Sequence, residues 1–146
     1  MKEAVVVTIL SDVAREQGIA VKWCSAEDSR SLRRLAASRF GKDAEAPITT
    51  EGLKEPARFC APDSWERIGG FAWDGPVVLF TNPRESIDVL WIGSLDDAMQ
   101  LLAEAPPFDF LLGEPEFSFL FAHDQYDNLF GCGNAKGLVE AAKAGE

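Results

Sequence analysis

The chain holds one histidine, His123, and three cysteines, Cys24, Cys60 and Cys132, so nucleophilic chemistry would have to be built from very few residues. A cysteine nucleophile needs a base within hydrogen-bonding reach and a third group that orients the base. The stretch His123-Asp124-Gln125-Tyr126-Asp127 followed by Cys132 contains residues of all three kinds, and a hairpin there would bring them across from one another. The same residues have a plain structural explanation. A histidine at a strand end is ordinarily a satisfied structural group, and a cysteine between Gly131 and Gly133 a small packing residue. A small hydrolase or transferase using Cys132 and His123 is therefore an alternative, and no catalytic residue is assigned.

Other chemistry-bearing patterns are thinner. Asp96-Asp97 and the Asp124/Asp127 pair could act as paired carboxylates, yet neither has the multi-oxygen spacing of a calcium loop. Helix capping accounts for Asp96 and Asp97. Gly69-Gly70 and Gly131-x-Gly133 lack the third glycine of a dinucleotide fingerprint. The cysteines form no C-x-x-C pair, so no metal site and no cofactor is expected, and the odd thiol count points to a reducing compartment.

Charge carries more information. The formal net charge of -10 argues against nucleic-acid binding, which needs a basic face. Residues 1–70 balance eleven acids against eleven bases, whereas residues 71–130 carry eleven acids against Arg84 alone. A general solubility surface accounts for net negative charge. Its concentration in one segment points to a docking face for a basic partner.

The 146 residues, 47% of them apolar, predict a single domain over 1–146. No membrane span or secretory signal is expected, because Ser11-Asp12 ends the short apolar run from Ala4 to Leu10. Val6, Ile9, Leu10 and Val13 predict a helix over Glu3–Gln17 ended by Gly18, and Ile19, Val21 and Trp23 a short strand. Ser25 with Asp28 opens a second helix ending before Gly41, with Arg30, Arg33, Arg34 and Arg39 on its solvated face. Residues 42–62 read as a long loop that could hold a turn of helix near Leu53–Arg58, and residues 63–68 as one or two helical turns before Gly69-Gly70. Pro76–Thr81 and Ile87–Ile92 predict an antiparallel pair, and Ser94 with Asp97 a helix stopped by Pro106-Pro107. Phe108–Leu112, Glu116–His123 and Asn128–Cys132 follow as strands, with Phe117, Phe119 and Phe121 on one face, and Leu138, Val139 and Ala142 mark a closing helix. This order predicts an α+β domain: an antiparallel sheet of four or five strands with helices packed on one face.

The segment Glu116-Phe117-Ser118-Phe119-Leu120-Phe121-Ala122-His123-Asp124, continued by Tyr126-Asp127-Asn128-Leu129-Phe130-Gly131, resembles the aromatic strand and acidic-histidine turn of small acidic bacterial immunity proteins of polymorphic or contact-delivered toxin systems. The resemblance covers about a quarter of the chain and implies a cytoplasmic protein that binds and blocks a cognate toxin. The charge asymmetry suits a toxin with a basic active-site cleft. On that expectation the partner-binding residues are the acids Asp88, Asp97, Glu114, Glu116, Asp124 and Asp127, with Trp65, Trp73 and Tyr126 as aromatic anchors. An adaptor or chaperone for a secreted effector would carry the same features. Neither role involves a membrane or nucleic acid.

Overall fold

The computed structural model describes residues 2–145. The first helix, α1 (Lys2–Gln17), stops at Gly18, whose φ of +69° is a conformation open mainly to glycine. The chain then forms β1 (Val21–Trp23) and α2 (Ala26–Phe40), the latter opened by Ser25, whose Oγ accepts from Asp28 N at 3.1 Å. After β2 (Ala57–Cys60) and a 3-10 helix at Ser64–Gly70 come β3 (Val77–Phe80) and β4 (Leu90–Ile92). The helix α3 (Leu95–Glu104) is capped by Ser94 from Asp97 N at 3.1 Å. The chain closes with β5 (Phe110–Gly113), β6 (Phe119–His123), β7 (Asn128–Gly133) and α4 (Lys136–Ala144). Among the described residues no helix is long and apolar enough to cross a membrane.

The α+β class holds, but the sheet is larger than predicted. Seven strands pair antiparallel in the order β1-β4-β3-β5-β6-β7-β2. The strand missing from the sequence prediction is β2, inside the expected 42–62 loop. It is an edge strand that buries only Phe59, so it shows neither alternation nor an apolar run.

The helices do not form the single layer expected. One face of the sheet presents Val77, Leu79, Phe110, Leu112, Phe119 and Phe121 to α1, α3, α4 and the 3-10 helix. The opposite face presents Val78, Phe80, Leu111, Leu120 and Ala122 to Ala36 and Ala37 of α2 and to Ile48 and Leu53 of the long loop. Helices therefore cover both faces, because the central strands are apolar at consecutive positions rather than alternate ones. Phe117 also leaves the face expected for it: at φ +55° it turns out of the strand and packs edge-on against Phe80, while Phe119 and Phe121 stay on the other side.

The sheet fixes α2 through Arg33, which the sequence placed on a solvated face. Arg33 is buried and donates to the carbonyls of Ile87 at 2.9 Å, Thr81 at 2.8 Å and Ser86 at 2.6 Å, with its guanidinium 4.9 Å from the Phe80 ring centre. Ser29, one turn earlier, accepts from Val89 N. These bonds hold residues 86–89 against α2, which is why β4 begins at Leu90 rather than at Ile87.

Gly131 and Gly133 also find their explanation in packing. A Cβ on Gly131 would lie 2.7 Å from both the Ala135 carbonyl oxygen and Val139 Cγ2, so glycine lets α4 lie against β7. Gly133 takes φ +60° where the chain leaves the strand.

Candidate functional site: an acidic groove at one end of the sheet

Because the strands alternate in direction, β1, β2, β3 and β6 all finish at one end of the sheet, where β4, β5 and β7 begin. The loops gathered there enclose a groove of about 1130 Å³. Six carboxylates line it, each from a connection outside the strands and helices: Glu51, Asp63, Glu85, Asp109, Asp124 and Asp127. Arg84 is the one lysine or arginine among its described lining, and Trp65, Pro106, Pro107 and Phe108 give it apolar walls.

The acids are close enough to feel one another. Burial, then repulsion from Asp124, with smaller contributions from Glu51 and Glu85, holds the Asp109 carboxyl above the ordinary aspartate range despite a hydrogen bond from the Gln125 backbone. For an acid, a raised pKa in the folded state means that ionisation at neutral pH costs stability. Asp109→Asn is accordingly expected to stabilise the protein at pH 7, by up to about 1 kcal/mol given the group's solvent screening. Thermal unfolding would show a Tm increase that shrinks as salt is added, and a decrease in Tm would contradict this electrostatic account.

Asp124 has a structural task as well. Its Oδ1 accepts from the backbone N–H groups of Tyr126 at 2.9 Å and Asn128 at 3.1 Å, and its Oδ2 from Asn128 Nδ2 at 3.1 Å, which closes the β6–β7 turn. Asp127 follows in the left-handed region at φ +62°, where aspartate is among the few tolerated side chains, and points its Oδ1 to 3.8 Å from His123 Nε2. His123 is stacked on Phe110 with ring centres 5.7 Å apart. Burial pushes its imidazole below the ordinary histidine range, against the pull of Asp127, Asp124 and Asp63.

The nine residues expected to bind a partner do not form one surface. Trp65, Asp124 and Asp127 line the groove, and Tyr126, 71% exposed, stands at the tip of the same turn. Asp88 lies at the same end beside α2, outside the groove lining, where its charge favours the protonated Arg33. Trp73, Asp97, Glu114 and Glu116 lie at the opposite end, across the full length of the strands. Trp73 packs on Phe119 and donates from Nε1 to the Pro76 carbonyl. Glu114 is only 5% exposed and turned inward, accepting from Glu116 N and Ser118 N. In their place the structure supplies Glu51, Asp63, Glu85 and Asp109, which no local pattern marks, since only the strand order brings their loops together.

The cysteine–histidine alternative is separated by geometry. Cys132 pairs with Leu120 and His123 with Leu129, three residues further along the strands, or roughly 10 Å. The side chains also lie on opposite faces: Cys132 in the core beneath α2, His123 against Phe110 on the other side. Burial pushes the Cys132 thiol up to about 11, so it stays protonated at neutral pH. Among the described residues no group of three or more His, Cys, Asp or Glu side chains is arranged to hold a metal ion. Comparison with protein-family models, with curated proteins and with solved structures finds no significant match to this chain.

Proposed function

We propose that this protein is a cytoplasmic binding protein of the immunity type, which recognises a basic toxin through the acidic groove and blocks the toxin's cationic active-site cleft. The observation that carries this reading is the convergence of six carboxylates, from loops spread between Glu51 and Asp127, on one concave surface with apolar walls. Such a surface speeds encounter with a positively charged partner and competes with its polyanionic substrate. Three free thiols suit the reducing compartment that this role requires.

The test is co-expression with the C-terminal domain of a toxin encoded beside its gene. The expected result is a stable complex whose association rate falls at least about tenfold between roughly 0.05 and 0.5 M salt. A rate indifferent to salt would refute the electrostatic mechanism. A complex in which the toxin keeps its activity would make the protein an adaptor rather than an inhibitor.

A further inference from the structure

The groove contains a group whose bonding is incomplete. His123 is 8% exposed, and among the described residues its buried Nε2 has no hydrogen-bond partner. Buried polar atoms of this kind are ordinarily satisfied. The Phe110 stack fixes the ring, and Asp127 Oδ1, at 3.8 Å, is too distant to bond directly to Nε2. Nε2 and Asp127 Oδ1 thus face each other without a direct bond, with Asp63 and Asp124 also near; in the neutral tautomer that carries its proton on Nδ1, both atoms are acceptors. Asp109, with Glu51 and Glu85, adds negative charge along the same groove.

A ligand that completes this arrangement must be cationic, carry several N–H donors in a fixed fork, and lie against Trp65, Pro107 and Phe108. A guanidinium satisfies all three conditions. It is planar, weakly hydrated and stacks on aromatic faces, whereas an ammonium is a compact, strongly hydrated point charge. We propose that the groove receives an arginine side chain of the partner, its methylenes against the Pro107 and Phe108 wall and its guanidinium shared by Asp127 and Nε2 of His123. This rests on the groove being the partner-binding surface.

Because His123 is the only histidine in the chain, its ring protons report on this site without ambiguity. The experiment is an NMR titration of the full-length protein at low ionic strength with three short peptides identical except for arginine, lysine or uncharged citrulline at one position. The arginine peptide is expected to shift the His123 ring resonances saturably and to bind at least about fivefold more tightly than the lysine peptide, with citrulline the weakest. It should also move the histidine's titration to lower pH, since a cation beside a neutral imidazole opposes protonation. Asp127→Asn, which suits the left-handed backbone at that position, should weaken the arginine peptide at least about fivefold without loss of the native spectrum. Equal binding of the arginine and lysine peptides, or affinity unchanged by Asp127→Asn, overturns the inference. A salt-dependent complex with the toxin that ignores the Asp127 substitution overturns it too, while leaving the proposed function standing. Arginine-selective binding at His123 with no toxin partner supports the inference and removes the toxin role alone.

Discussion

Arg33→Met is expected to destabilise the protein by about 3–5 kcal/mol, the largest loss from any single side-chain change considered. The substitution keeps the unbranched apolar stem of the side chain but removes the guanidinium, leaving the Thr81, Ser86 and Ile87 carbonyls without their donor in a region already closed to water. Burial lowers the guanidinium to about 10, opposed by Asp88, so Arg33 is fully charged at neutral pH and its hydrogen bonds are charge-assisted. Urea unfolding should show a lower midpoint with an unchanged slope. Arg33→Lys should recover only part of the loss, because an ammonium cannot present the same planar fork to three carbonyls. If Arg33→Met unfolds within about 1 kcal/mol of the parent, the guanidinium is not what anchors α2.

Glu114→Ala is expected to cost about 2–3 kcal/mol. The carboxylate accepts from Glu116 N at 2.8 Å and Ser118 N at 2.7 Å, holding the turn in which Phe117 takes φ +55° and enters the core. Burial alone would raise its pKa, but hydrogen bonds from Ser118 and Glu116, with a contribution from Arg39, outweigh that and hold the carboxyl below the ordinary glutamate range. A depressed folded-state pKa contributes stability that is complete above the unfolded value and is lost as pH falls through the folded one. The difference between the parent and Glu114→Gln should therefore narrow on acidification below about pH 4.5, as read by urea midpoints across pH. Partner affinity should be unaffected by Glu114→Gln, since the side chain faces inward at the end of the sheet remote from the groove.

These two residues show where the sequence was informative. The hydroxyl caps Ser25 and Ser94 were legible because capping depends on residues three apart. The β6–β7 hairpin was legible because its turn is made by neighbours in sequence. Arg33 was hidden in a cluster of arginines, although its spacing from Ser29, Ala36 and Ala37 places all four on the buried stripe of α2, with Arg30, Arg34 and Arg39 on the exposed side. The groove was legible only in part. Counting acids by segment located Asp124 and Asp127 but could not bring in Glu51 and Asp63, which come from the electroneutral half of the chain. Their approach depends on strand order, in which β2 sits beside β7 with 67 residues between the end of one and the start of the other, and no local periodicity encodes that adjacency.

Each of the six groove carboxylates sits in a connection, whereas most apolar residues of both cores sit in strands and helices, with Ile48, Leu53, Val89 and Phe117 among those contributed by connections. The charges of the groove and most of the core are thus written in different parts of the chain. If the groove is the partner-binding surface, a partner that rearranged its own charges could be followed by exchanges at Glu51, Glu85 or Asp109 without repacking a single layer of the sheet. Asp124, which also closes a turn, and Asp63 and Asp127, at φ +55° and +62°, are more constrained. On the proposed function, this architecture gives the protein latitude to follow a changing toxin on one rim while its frame stays constant.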